Sequence, residues 1–311
     1  MRVKLGRPDL SDYAARFNVP PATGDFSVTF LGVTSLLFDD GKSAVLTDGF
    51  FSRPPLRRVA AGKVAPEPAR IASALRRLGL DHDGRRRLDA VVPVHTHFDH
   101  ALDSAVVAQL TGAVLVGGES AANVGRGAGL SDDRIIVVTP GEPASYGAFT
   151  LTLFESKHCP PDRFPGRIAE PVVPPTKAAA YKCGEAWSVL VEHSSGRTTL
   201  VQGSAGYVKG ALDGLRADVA YLGVGQLGIH DEDYLRTYWS ETVQTVGARR
   251  VVLTHWDDFF RPLDQPLRAL PFAGDDLDVT MRVLGKFADD DHVALHLPTV
   301  WRREDPWAGL T

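Results

Sequence analysis

Short apolar runs separated by turn-forming residues dominate the chain. Runs over residues 26–31, 33–38 and 43–47 predict strands, with Asp39-Asp40-Gly41-Lys42 as the hairpin turn between the last two. Residues 69–78 carry apolar positions at helical spacing, and Gly79 stands where such a helix would stop. Ala90-Val-Val-Pro-Val94 predicts a buried strand despite Pro93, and it runs directly into His95. A helix over 101–110 ended by Gly112 and strands at 113–116 and 134–138 follow. In the second half the pattern predicts strands at 148–154, 187–192, 198–202, 219–222 and 250–254, and helices at 231–246 and 278–287. This order predicts a layered α/β architecture. Residues 1–25, with Pro8, Pro20 and Pro21 and little period, read as an N-terminal arm lying on one domain that spans 26–311. Six prolines and no clear period lie between Cys159 and Cys183, the mark of a functional cover or a disordered excursion.

Composition excludes extremes. The 311 residues hold 34 Lys+Arg against 38 Asp+Glu, a net charge of −4, and 44% are hydrophobic. Without a basic surplus, a protein that wraps nucleic acid is not expected. The apolar content argues against disorder. Two cysteines cannot build a disulfide framework, so a reducing compartment is the expectation, with a single bridge as the alternative. The opening Met1-Arg-Val-Lys-Leu-Gly-Arg lacks the apolar core of an export signal, and no run approaches the ~20 apolar residues of a spanning helix. The expectation is a cytoplasmic protein with no transmembrane segment; the oligomeric state stays open.

The ten histidines are unevenly distributed. His95-Thr96-His97-Phe98-Asp99-His100 packs three imidazoles and a carboxylate into six residues, a pattern that chance produces in about one chain in a thousand of this composition. Strand geometry, with its period of two, sends His95 and His97 to one face, and the turn beyond aims Asp99 and His100 at an adjacent position. Imidazole and carboxylate suit zinc and similar first-row metals, and zinc sites that do chemistry use three protein ligands plus an open position. The competing reading, partly exposed polar residues at a strand end, fits a lone histidine better than a cluster.

The string also resembles the H-x-H-x-D-H signature of the metallo-β-lactamase superfamily, and the resemblance extends from Phe26 to a strand ending near Leu297. It implies a four-layer αββα sandwich. The run over 43–48 resembles the family's early strand ending in Asp, so Asp48 is implied as a supporting residue. His158, in Phe154-Glu-Ser-Lys-His158, falls where the family keeps its third histidine, and His255, in Val251-Val-Leu-Thr-His255, matches the late one. The resemblance thus implies one metal on His95, His97 and His158 and another on Asp99, His100 and His255, with Asp99 also catalytic. Zinc is the first choice, as one or two ions, with manganese or iron as alternatives. One departure stands out: many hydrolases of the family carry Gly-Asp where this chain has Gly203-Ser204, and a neutral hydroxyl is a poor substitute for a bridging carboxylate. Two metals remain the preferred reading and one occupied site the alternative. The flavodiiron branch places Glu where His97 stands, so the motif favours hydrolysis.

In such a centre the metal lowers the pKa of bound water from ~15.7 to about 7, for attack on a carbonyl carbon or a phosphorus. Phe30-Leu-Gly-Val-Thr-Ser-Leu-Leu-Phe38 looks most like the branch of L-ascorbate-6-phosphate lactonase and N-acyl-phosphatidylethanolamine phospholipase D. The implied function is hydrolysis of a small ester, lactone or phosphodiester. The alternatives are a non-catalytic metal-stabilised binding or assembly protein, motivated by Ser204, and a β-lactam hydrolase. Arg53, Arg57, Arg58, Lys63 and Arg70 against Glu67 would attract an anionic substrate or form a solvated face. The 160–175 segment, starting just after His158, is expected to wall or cover the pocket. Trp256, Phe259 and Phe260 would line it or belong to the core, and His230 is a candidate pocket residue. His82, His193, His292 and His296 have no partner spacing.

Overall fold

Burial along the first strands decides the layering. The structure, a computed structural model, describes residues 4–80 and 87–310, so His82 lies outside the described residues. The first half forms β1 (Ser27–Phe30), β2 (Leu36–Asp39), β3 (Ser43–Thr47), α1 (Leu56–Ala61), α2 (Pro68–Leu78), β4 (Arg87–Val92), α3 (Phe98–Ala101), α4 (Ser104–Thr111), β5 (Val114–Gly117), α5 (Glu119–Gly127) and β6 (Ile135–Val137). The second forms β7 (Pro143–Tyr146), β8 (Phe149–Ser156), β9 (Ala186–His193), β10 (Thr198–Gln202), β11 (Val219–Gly223), α6 (Glu232–Trp239), β12 (Arg250–Thr254), α7 (Leu277–Asp290), β13 (Ala294–His296) and β14 (Arg303–Glu304). All five residues of β3 are buried, so both faces of its sheet are covered. Phe38, Val45, Ala90 and Val92 pack toward Leu151, Val189 and Leu200 of the second sheet, whereas Leu37, Ala44, Leu46 and Val91 pack on Ile71 and Leu75 of α2 and Ala105 and Ala108 of α4. On the far side, Tyr238 and Trp239 of α6 and Leu284 and Phe287 of α7 join the core of the second sheet. The result is an α/β four-layer αββα sandwich.

The sheets run β14-β1-β2-β3-β4-β5-β6 and β13-β12-β11-β10-β9-β8-β7. Each is mixed: β3 to β6 are parallel, as are β10 to β13, while β1 to β3 and β7 to β10 are antiparallel. The parallel strand ends therefore bring the loops after β3, β4, β11 and β12 to one edge, the usual place for a site in such sheets. Residues 10–16 form a 3₁₀ turn, and Phe17 packs edge-on against Trp256 at 5.8 Å.

Several expected elements change. The strand expected over 33–38 starts only at Leu36, because Val33 turns into the left-handed region (φ 52°). The strand expected over 90–94 ends at Val92, where Val94 N–H leaves the ladder to donate to Asp48 Oδ1 at 2.9 Å. The helix expected over 101–110 is two, α3 and α4, broken at Leu102 and Asp103. Asp103 accepts from Phe51 N, Ser52 N and Ser52 Oγ at 2.6–2.8 Å, and that network fixes the break. The helix expected over 231–246 continues past α6 as a π-helical turn, Ser240–Gln244. The short apolar pattern concealed α1 and α5, the latter opened by Gly118 and rich in alanine. No helix among the described residues is long and apolar enough to cross a membrane.

Candidate metal centre

Strand alternation does not aim the motif. His95 lies beyond the end of β4, and His97 caps α3 with extended backbone (φ −59°, ψ 154°), so the turn and the first helical residues orient the ligand-type side chains. His95, His97 and His158 bring one nitrogen each within 4.8 Å of one another, and Asp99, His100 and His255 form a second such group. The two groups adjoin, with the His95 and His100 rings 3.8 Å apart between centroids. His158 follows β8, and His255 follows β12, each delivered by a sheet end.

The donor geometry fits a metal. His95 Nε2 lies 3.2 Å from His97 Nδ1, and His100 Nε2 lies 3.2 Å from His255 Nε2. Asp99 Oδ2 is 3.5 Å from His255 Nε2 and 3.7 Å from His100 Nε2. Ligands at the 2.0–2.1 Å typical of zinc, placed tetrahedrally, are separated by about 3.3–3.4 Å. The far sides of three rings are already engaged: His158 Nδ1 donates to Cys159 O at 2.6 Å, His100 Nδ1 to Asp48 Oδ2 at 2.8 Å, and His97 Nε2 lies 3.1 Å from Asp162 Oδ1. A ring that donates outward presents its other nitrogen, as a lone pair, inward.

Protonation agrees with this arrangement. Burial, with four neighbouring imidazoles, drives His95 well below the ordinary histidine value, and burial with His97 brings His158 down to about 4. Both rings are thereby held neutral, as a ligand must be. Burial works to raise Asp99, but the facing imidazoles outweigh it and hold the carboxyl well below the usual range, ionised. His255 is raised: burial opposes its charge, and the hydrogen bond to Asp99 prevails.

Backbone strain concentrates here. Val33, Asp48, Arg53 and His255 all adopt positive φ (52°, 54°, 42° and 60°), costly for non-glycine residues and held only by strong local restraint. Asp48, fully buried, is the hub: Oδ2 accepts from Thr34 Oγ1 at 2.6 Å and His100 Nδ1, Oδ1 from Val94 N, and Asp48 N donates to Val92 O. Asp257 Oδ1 accepts Val33 N at 2.8 Å, and Val33 O accepts His255 N at 2.7 Å, so the strained turn carries the late histidine.

The remaining candidates separate. Ser204 Oγ accepts from Cys159 N at 2.9 Å, which anchors the His158 segment, and it belongs to neither donor group. His230 donates to Pro160 O at 2.7 Å, lies 3.4 Å from Cys159 Sγ and stacks on Tyr234 at 4.3 Å; it holds the start of the Pro-rich segment. Burial pushes the Cys159 thiol up to about 12, which leaves it protonated and no nucleophile. Trp256 is core, whereas Phe259 sits edge-on to His255 at 5.6 Å and beside Phe98 at 6.3 Å. In the basic segment Arg53 is fully buried on Asp257 and Arg58 and Arg70 pair with Glu67, while Arg57 and Lys63 are exposed. Asp162 and Asp257 escaped the sequence reading, since each is a single acid in a loop with no local pattern around it.

Comparison with known proteins agrees with the geometry. The family model described as the metallo-beta-lactamase superfamily matches residues 28–201, more than half of the chain. A solved structure described as a possible metal-dependent hydrolase from Veillonella parvula is 14% identical and covers 90% of this chain and 99% of its own, with a TM-score of 0.56. CmlA, a diiron β-hydroxylase from Streptomyces venezuelae, is 15% identical and covers 94% of this chain and 59% of its own, with a TM-score of 0.50. No curated protein matches. The two structures show the shared fold, and the family match shows that this chain belongs to the metallo-beta-lactamase superfamily.

Proposed function

We propose that the protein is a metal-dependent hydrolase of a small ester, lactone or phosphodiester, with His95, His97 and His158 holding one ion and Asp99, His100 and His255 a second. The observation that carries this reading is the pair of adjoining donor groups, each closed to within 4.8 Å, in which the 95–100 segment after β4 meets His158 after β8 on one side and His255 after β12 on the other. Bound there, a zinc-class ion supplies Lewis acidity and acidifies a water for attack near neutral pH. The chain's own residues do the rest. Asp99, kept ionised, would serve as a ligand and as a hydrogen-bond acceptor that orients the attacking water. Asp48 and Asp162 hold His100 and His97 in fixed orientation. Phe98, Phe164 and Phe259 form an apolar rim that limits water and receives the apolar part of a substrate. Ser204 offers a neutral hydroxyl that already accepts from Cys159 N, so it would serve to anchor the His158 segment and not as a charged ligand to the ions.

Metal analysis of purified protein, with iron included because CmlA is described as diiron, establishes content. Hydrolysis is then measured on lactones and on bis(p-nitrophenyl) phosphate. The expected result is one to two equivalents of metal and an activity lost in His97→Ala. Metal-free protein whose activity is unchanged by His97→Ala would sink the reading.

A further inference from the structure

Asp162 stands between Pro161 and Pro165, and its Oδ1 lies 3.1 Å from His97 Nε2. The same oxygen accepts Phe164 N at 2.9 Å, so the turn that carries the carboxylate also fixes it. On the opposite edge of the ring, His97 Nδ1 faces His95 Nε2 at 3.2 Å. A neutral imidazole has one N–H to place, and a carboxylate at Nε2 draws it there, leaving the Nδ1 lone pair for the donor group. Phe164 O, 3.4 Å from Nε2, favours the same tautomer. The Pro-rich segment is in turn tied to the motif: Thr96 N donates to Cys183 O at 2.8 Å, Thr96 Oγ1 to Lys182 O at 2.6 Å, and Cys183 N to Phe164 O at 2.8 Å. The Phe164 ring meets His97 edge-on at 6.1 Å.

We propose that Asp162 is a positioning residue that fixes His97 in the Nε2–H tautomer, so that packing of the Pro-rich segment and readiness of the first donor group are coupled. The proposal rests on the metal-centre reading above. His97, Asp162 and Cys183 also come within 4.8 Å of one another, which offers a separate metal site as the competing interpretation. Positioning fits better, because His97 already turns its inner nitrogen to His95 and Cys183 is a buried thiol that must lose a proton to bind.

Long-range ¹H–¹⁵N spectra of the metal-free full chain read the His97 tautomer, and competition with a chromophoric chelator reads zinc affinity. The wild type shows Nε2–H. Asp162→Ala populates both tautomers and binds zinc about 10–100-fold more weakly. Asp162→Asn, whose amide oxygen still accepts from Nε2–H, keeps the tautomer and most of the affinity. An unchanged tautomer in Asp162→Ala overturns the proposal, and so does loss of a whole zinc equivalent in Cys183→Ser. A shifted tautomer with no zinc bound by any variant supports control by Asp162 and overturns the metal-centre reading.

Discussion

Arg53 and Asp257 allow the rigidity of the site to be measured. Both side chains are fully buried; Arg53 Nη2 donates to Asp257 Oδ2 and, at 3.2 Å, to Asp258 O. Space for the guanidinium comes from Gly32, where a Cβ would fall 2.1 Å from Arg53 Nη1. Asp257 also holds Val33 N, and Val33 O holds His255 N, so the ion pair lies two contacts from the second donor group. Asp257→Asn keeps the shape and removes the charge, stranding a guanidinium with no solvent near it. Breaking a buried pair from one side costs about 3–5 kcal/mol. Arg53→Met leaves the carboxylate with only its backbone donor and costs a similar amount. The double variant removes both charges, and because a buried pair is worth little against apolar packing, it costs less than the sum by about 2 kcal/mol or more. Urea unfolding of the metal-free protein, followed by tryptophan fluorescence at fixed salt, measures all three. In a chain of this size each kcal/mol lowers Tm by about 2 °C, so Asp257→Asn should melt about 6–10 °C early. A cost below about 1 kcal/mol for Asp257→Asn, or additivity in the double variant, would refute the clamp.

Two further outcomes follow, one from a buried carboxyl outside the donor groups and one from a glycine packed against the His158 segment. Glu304 accepts from Thr299 N and Arg302 while Oε2 has no partner, and burial pushes its carboxyl up to about 7 from an ordinary 4.5. The folded state therefore binds the proton more tightly than the unfolded one, so this contribution is full below about pH 4.5 and fades as pH rises through about 7, on the order of 3 kcal/mol in all. Glu304→Gln should flatten the fall in unfolding midpoint over that window; an identical slope in the variant counts against the assignment. At Gly206 an added Cβ would lie 2.1 Å from Lys157 O and 2.7 Å from the His158 carbonyl carbon, both backbone. Gly206→Ala should cost about 1–3 kcal/mol and weaken zinc binding, measured by thermal melts and chelator competition, while Gly24→Ala, with open space around it, changes neither. Equal behaviour of the two variants would mean that the His158 segment yields freely.

The ligand-type residues were legible where the chemistry is contiguous: six residues hold three imidazoles and a carboxylate, and the apolar runs around them announce layered sheets. His158, His255 and Asp48 emerged through family resemblance, since nothing local distinguishes them from other residues after a strand. What the pattern hid has one physical origin. Asp48, Asp103 and Asp257 read in the sequence as acids at loop positions, ordinarily solvated. In the fold each is fully buried and accepts backbone N–H groups from a neighbouring loop: Val94 for Asp48, Phe51 and Ser52 for Asp103, Val33 for Asp257. Those bonds end β4 early, split α3 from α4 and turn Val33 out of its expected strand. Charge counting failed at Arg53 for the same reason, because its partner lies 204 residues away. Local periodicity encodes elements and local clustering encodes ligand types, but the aim of the ligands depends on carboxylates whose partners are backbone amides far along the chain. An N–H left unpaired there costs about 1–3 kcal/mol and a stranded charge costs more, so a change at Asp48 or Asp257 acts on the histidine that each supports, His100 directly and His255 through Val33.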